Sequence, residues 1–398
     1  MTRDARETAP ARIALMLPRF SRYGGVEQYG FALAEGLARR GHAVDFLCAR
    51  REAEAPAGVR VLAVGRPPGG KALKMLWFLV RAERLRRKGG YDLCISLGNT
   101  WNQDIVRVGG GPLTVFWRLS LPAWERGPAR WGKRISRLLR PSNWLTLLLQ
   151  RRMFRQTPRV VVISDKMRGW VREVCPDPGA GGRELLTIYN CPDLSHFRAP
   201  RPGEREAARR AFGMGAGEYA LGTASSNFAL KGTAPLIRAL SLLDGETHLH
   251  VAGGRNAAPY RKLAASLGLA DRVHFHGRVA DMRAFYHGLD MFVLPTFFDT
   301  LGNVVLESLA CGLKTLCSDR AGAADFLPPG QVIADPSDPR EIADKARRLR
   351  AAEAGAPFLP KGSGVGEMIA LAERVLAEKS RQGGTDEPGL RPGPRRGA

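Results

Sequence analysis

Paired cysteine chemistry is missing from this chain. Its six cysteines, Cys48, Cys94, Cys175, Cys191, Cys311 and Cys317, include no Cys-x-x-Cys pair and sit mostly in apolar runs. That spacing argues against a zinc-binding or disulfide framework and fits buried thiols in a reducing cytosol. Long hydrophobic runs are also missing: no window is long enough to span a bilayer. The first residues, MTRDARETAPAR, hold no apolar segment of the kind a secretory signal needs. A soluble or membrane-peripheral cytoplasmic protein is expected, at most peripheral on the cytoplasmic face of the inner membrane. Histidine is absent between His42 and His196.

Acidic residues are scarce in one half. The net charge is +23. Residues 1–190 carry 34 Lys and Arg against 15 Asp and Glu, whereas 191–398 carry 27 against 23. Between Arg126 and Ser164 stand ten basic residues and no acid, interleaved with Trp131, Leu138, Leu139, Trp144, Leu145, Leu147, Leu148, Leu149, Met153 and Phe154. Basic residues mixed with Trp and Leu over residues 126–159 (Arg126 to Arg159) suit an anionic membrane surface. The alternatives are nucleic acid, which is not the expected partner, a helix whose Arg stems cover apolar surface, and a plain compositional Arg bias.

What is present is strand–helix alternation, twice. At 398 residues, two domains are the first expectation. Strands are predicted at 13–17, 44–48, 61–64, 93–96, 105–108 and 160–164. A helix through Val26, Tyr29, Leu33 and Leu37 follows the Gly24–Gly25 turn and ends at Gly41, and a basic helix spans about 71–87. The second half repeats the pattern with strands at 219–223, 248–252, 273–276, 291–294, 315–317 and 332–333. Two α/β domains with parallel sheets follow, the ligand crevice lying at the strand ends. The expected division is a disordered leader 1–11, a first domain 12–197, a second domain 198–362, a helix 363–379 (apolar-periodic over 364–378) crossing back onto the first, and a disordered tail 380–398.

The second half carries the chemistry. In PTFFDTLGNVVLESLACG, residues 295–312, an apolar strand runs into a loop with Asp299, Gly302 and Asn303, and then a helix is predicted over 304–311. Asn303 is the candidate N-cap, so backbone N–H groups point over the strand end, where anions bind. Asp299 and Glu307 flank that anion site, a pattern that suits a ligand bearing both phosphate and hydroxyls. An acid near a helix start is also an ordinary dipole partner.

The stretch resembles the E-x7-E segment of the family 4 retaining glycosyltransferases, with Asp299 in the first acidic position, and ESLACGLKTLCSDRAGAADFL resembles the run that follows it in that family. LTIYNCPDLSHF resembles the connector between the two domains, with Cys191 where Gly is usual, and HFHGRV resembles the family's turn before the nucleotide base. Lipopolysaccharide-core glucosyltransferases look nearest. The resemblance implies the GT-B fold, two Rossmann-like domains facing across a cleft, and a nucleotide-sugar co-substrate with no metal. It also implies roles. Lys231 would hold the donor diphosphate. Gly24, Gly25, Val279, Leu301, Gly302, Asn303 and Val304 would line the donor, Glu307 would grip the ribose hydroxyls and Asp299 the transferred sugar. Asp104 stands where many members carry a sugar-side His, although a solvated loop Asp reads the same way.

One departure stands out beside Lys231. The family's Arg near the diphosphate Lys is replaced by Ser226 and Leu230. No Asp-x-Asp pair suggests a bound divalent metal, and His274 with His276 lacks an evident third ligand. The implied activity is metal-independent transfer of a hexose, from UDP-glucose or a similar donor, to a lipopolysaccharide core or other cell-envelope glycan. The alternatives are a nucleotide-sugar epimerase or hydrolase on the same fold, and a non-catalytic basic protein that binds membrane surfaces.

Overall fold

The computed structural model describes residues 10–124, 127–178, 180–254, 256–353, 359–360, 362 and 364–383. Most of the expected leader, and the tail beyond residue 383, lie outside these. Two parallel sheets organise the chain. One has seven strands in the order Val59–Ala63, Ala43–Cys48, Arg12–Met16, Leu93–Ser96, Ile105–Val108, Arg159–Val162, Glu184–Thr187. The other has six, in the order Val273–Gly277, Thr247–Gly253, Tyr219–Ser225, Met291–Leu294, Lys314–Ser318, Val332–Ile333. The strands Leu93–Ser96, Ile105–Val108, Met291–Leu294 and Val332–Ile333 coincide with expectation, and the others differ by one to three residues at their ends. Glu184–Thr187 was not expected. It is four residues long, and its last two open the connector LTIYNCPDLSHF, whose resemblance masks the strand.

The chain forms two compact units, Met1–Val106 with Val365–Ala398, and Arg107–Gly364. In the first, the helix Gly25–Arg39 buries Tyr29, Leu33, Ala34 and Leu37, the face that its spacing predicts. The helix Gly364–Gly383 belongs to this unit and runs four residues into the expected tail. Gly36 leaves room for Ile369, whose Cδ1 lies 2.5 Å from where a Cβ would stand.

The second unit takes in residues 107–190 together with the six-stranded sheet. The reason lies in local bonding: residues 107–190 are stitched to the 298–325 stretch. Ser164 Oγ donates to Thr300 O (2.6 Å), Thr300 Oγ1 donates to Gly109 O (2.7 Å), and the Tyr189 hydroxyl reaches Asp325 Oδ2 (3.3 Å). Within the six-stranded sheet, Met291, Phe292, Val293 and Leu294 are wholly buried, as expected for a central parallel strand covered on both faces. Each contributes ~1.5–3 kcal/mol of burial, which anchors the loop that starts at Pro295.

All six cysteines are free, and all except the half-buried Cys191 are buried. Burial pushes the thiol pKa of Cys48 and of Cys94 up to about 11, and that of Cys311 up to about 12. These are packing groups rather than reactive ones.

Candidate active site

Two loops at strand ends build the site. The first follows Tyr219–Ser225 and carries Lys231; the second follows Met291–Leu294 and carries Asp299. Phe297 N donates to Leu230 O (2.8 Å), and the Thr296 hydroxyl donates to the same carbonyl (3.2 Å), so the loops are held edge to edge. Gly232 is required at this seam. Its φ is +72°, and a Cβ would stand 2.0 Å from Pro295 O. A third segment, the Gly-Ala loop, fixes the far side: Asp299 N donates to Arg320 O (2.9 Å), Gly322 N to Asp299 O (3.2 Å) and Ala323 N to Leu301 O (2.6 Å).

On this frame Lys231 Nζ and Asp299 Oδ2 form a half-buried ion pair. Lys231 Nζ also lies 3.4 Å from Phe298 O, and Leu301 N donates to the other Asp299 oxygen (3.2 Å). The helix is Asn303–Ala310, and its N-cap is Gly302 in the left-handed region (φ +85°), not Asn303 as expected. No side chain caps it; of its first-turn donors Val305 N bonds back to Gly302 O (2.9 Å), and the positive end of the helix dipole lies at Gly302. Gly302 and Leu301 are buried, Val304 is half-buried and Asn303 exposed. One turn in, Glu307 Oε2 accepts a hydrogen bond from the wholly buried Tyr286 hydroxyl (2.9 Å). Burial raises the Glu307 carboxyl pKa, and the Tyr286 bond only partly offsets that.

The description "Glycosyltransferase Family 4" matches residues 23–196, and "Glycosyl transferases group 1" matches residues 220–351. Together they cover more than three quarters of the chain. The protein belongs to the family 4 glycosyltransferases. It is similar to the D-inositol 3-phosphate glycosyltransferase of Xylanimonas cellulosilytica, with 27% identity over 90% of this chain and 93% of that one. Among solved structures, WaaG, a glycosyltransferase involved in lipopolysaccharide biosynthesis, superposes with a TM-score of 0.69 at 18% identity, covering 94% of this chain and 96% of WaaG. Anabaena HepE in complex with UDP and glucose gives 0.61 at 16% identity, over 94% and 99% of the two chains. The fold is GT-B.

The other residues singled out in this glycosyltransferase lie as follows. Gly24 is the N-cap of its helix with φ +101°, Gly25 opens the helix, and both lie in the first unit. Val279 is half-buried in the bend after Gly277. Asp104 has both oxygens engaged: Oδ2 accepts from Cys94 N (2.7 Å), and Oδ1 pairs with Lys379 Nζ (2.7 Å), tying the C-terminal helix to the strand Leu93–Ser96. The pair His274 and His276 does have further ligand-type neighbours, contrary to expectation: His248, His250 and Glu218 lie against it. Lining an open depression of about 610 Å³ beside the Lys231 loop are Ser226, Asn227, Phe228, Ala229, Asn256, Pro259 and Tyr260.

Sequence reasoning missed Tyr286, Asn190 and Arg107. Arg107 is 2% exposed and donates to Asn190 Oδ1 (2.5 Å), while Asn190 Nδ2 reaches Asn303 Oδ1 (3.4 Å). A buried guanidinium thus stands two hydrogen bonds from the first residue of the site helix. An Arg inside the apolar strand Ile105–Val108 was the available signal.

The basic segment folds into the helices Leu113–Ser120, Pro128–Leu139 and Pro141–Gln156; Arg126 lies outside the described residues. Leu149, Met153 and Phe154 are core, which removes them from the expected surface. Trp131, Ile135, Leu138, Leu139, Trp144 and Leu148 are exposed, Leu139 at 75%. Among the described residues, no helix is long and apolar enough to cross a membrane.

Proposed function

We propose that this glycosyltransferase moves a hexose from a UDP-sugar, with retention of anomeric configuration, to a hydroxyl of a phosphate-bearing acceptor of the cell envelope. One observation carries the reading. A cation (Lys231), a carboxylate (Asp299), an uncapped helix start (302–304) and a half-buried, oriented carboxylate (Glu307) are held on one hydrogen-bonded frame. A diphosphate suits the first and third, and hydroxyls suit the second and fourth. HepE, whose structure contains UDP and glucose, shares the fold.

Breaking the anomeric C–O bond sends an electron pair to the diphosphate and leaves positive charge on the sugar. Lys231 and the amides at 302–304 stabilise the departing phosphate, so no divalent cation is needed for that charge. The incoming diphosphate takes Lys231 from Asp299, which frees Asp299 to accept hydrogen bonds from the transferred sugar. Glu307, held by Tyr286, accepts from the ribose hydroxyls. The acceptor hydroxyl attacks from the face the leaving group vacates, and its proton passes to the leaving phosphate oxygen. Arg107, through Asn190, positions the Asn303 side chain at the start of the site helix. Gly24 and Gly25 supply a turn whose backbone can approach a sugar or phosphate closely. Asp104 serves as the anchor of the C-terminal helix.

The excess positive charge of the first 190 residues favours an anionic acceptor. A phosphorylated lipopolysaccharide core is the first reading, with the exposed face from Trp131 to Leu148 resting on the anionic cytoplasmic leaflet. A soluble phosphorylated polyol is the second, favoured by the near full-length match to the inositol 3-phosphate enzyme. Incubation with UDP-glucose and either phosphorylated core oligosaccharide or inositol 3-phosphate, followed by proton NMR of the product's anomeric coupling, tests both. An α-glycoside from an α-donor supports retention. A β-product, or donor consumed equally without acceptor, contradicts the proposal.

A further inference from the structure

Four of the chain's seven histidines stand side by side on one face of two adjacent strands, Thr247–Gly253 and Val273–Gly277. His250 and His274 are register partners. The alternating residues Leu249, Val251 and Val273 point into the apolar core, so His248, His250, His274 and His276 share the opposite face. Their rings stack in the order 248, 274, 250, 276, with centroids 4.7 to 5.3 Å apart and interplanar angles of 10° to 26°. His250 Nδ1 lies 2.9 Å from His276 Nε2, and His248 Nδ1 lies 3.0 Å from His274 Nε2.

Glu218 closes this ladder. Its Oε1 lies 2.5 Å from His250 Nε2 and its Oε2 3.5 Å from His248 Nδ1, while Gly215 N donates to Oε2 (3.0 Å). Glu218, His250 and His274 each offer one ligand atom, and these atoms all lie within 4.8 Å of one another. We propose that Glu218, His250 and His274 bind a divalent transition-metal ion of the zinc type, which fastens the edge strand Val273–Gly277 to its neighbour.

The chemistry fits that class. Two imidazoles and a carboxylate are borderline ligands suited to Zn²⁺ or Co²⁺, and His248 or water completes a four-coordinate shell. A tautomeric shift suffices to open the site. The proton on His250 Nε2 is lost as Nδ1 takes one and donates to His276, which then turns its own proton to its other nitrogen. His276 becomes the outer partner that fixes the ring of His250, the arrangement usual around bound zinc. A bare hydrogen-bonded ladder, with Glu218 accepting from His250, would also satisfy these rings, and zinc titration separates the two.

The test uses untagged, chelator-treated full-length protein titrated with Zn²⁺ by calorimetry, with zinc retained after gel filtration measured by elemental analysis. One equivalent is expected, with a raised Tm. In Glu218→Gln and His274→Gln, the dissociation constant rises ~100-fold or more and the Tm shift disappears. Cobalt added to the wild type should give the visible absorption of a four-coordinate site, a readout that survives misfolding of either variant. Zinc retained by the wild type well below one equivalent, retention in both variants equal to that of the wild type, or a six-coordinate cobalt spectrum would overturn the proposal.

Discussion

Lys231 and Asp299, 68 residues apart in sequence, form an ion pair at the ends of two neighbouring strands. Each residue is thereby held in place by the other before any ligand arrives. The pair is also the natural entry point for a diphosphate, which offers Lys231 a more highly charged partner and leaves the Asp299 carboxylate for sugar hydroxyls.

Replacing Lys231 with Ala is expected to lower kcat by ~10²–10³-fold through loss of charge stabilisation at the leaving phosphate. Lys231→Arg should restore little, because the planar guanidinium does not fit the point-charge geometry set by Asp299 and Phe298 O. Steady-state kinetics with a UDP-sugar and acceptor check both.

Gly232→Ala probes the frame rather than the chemistry. The new Cβ would strike Pro295 O in a left-handed backbone, costing ~1–3 kcal/mol. That lowers Tm by several degrees at ~2–4 °C per kcal/mol. Thermal unfolding should show the drop, accompanied by weakened nucleotide binding as the Lys231 and Asp299 loops separate.

Much of this frame was legible beforehand. Strands such as Met291–Leu294 showed as uninterrupted apolar runs, and the helix Gly25–Arg39 as a 3.6-residue stripe, because burial alone writes those patterns. Short-range motifs marked Lys231, Asp299 and Glu307 singly. Their partners were not legible, since the Lys231–Asp299 pair, the Tyr286 bond to Glu307 and the Arg107–Asn190–Asn303 relay join distant segments. The N-cap was misplaced by one residue because a positive φ leaves no side-chain signature beyond glycine itself. Glu218 stands before its strand, so no spacing rule linked it to histidines 32 and 56 positions onward.

Glu307 should impose a pH dependence with a definite sign. Its folded pKa lies above its ordinary value of 4.5, so the folded state holds the proton more tightly than the unfolded one. Its contribution to stability is full below that value and is lost as pH rises through the folded pKa. Relative to wild type, Glu307→Gln should therefore gain stability on going from acid to neutral pH. Binding runs the other way: the carboxylate form accepts the ribose hydroxyls, so wild-type affinity for UDP should fall more steeply on acidification than that of the Gln variant, whose remaining slope is that of the UDP phosphate itself. Paired melts and titrations from pH 4 to 8 check both signs.

Trp131, Leu139 and Trp144 carry the membrane reading, being three of the six exposed apolar groups named on the basic helices. The triple Ser variant should lose most sedimentation with vesicles containing anionic phospholipid while keeping its activity on a soluble acceptor fragment. Wild-type binding should weaken as salt rises. Equal sedimentation of the two proteins contradicts the assignment of this face.

The most direct test of the site is calorimetric titration of UDP, in metal-free buffer, into wild type and Glu307→Ala. The account predicts binding by the wild type, weakened by ~10–100-fold in the variant through loss of the charge-assisted bonds to ribose. Equal affinity in the two proteins, or no binding by a correctly folded wild type of UDP or any other nucleoside diphosphate, would contradict it.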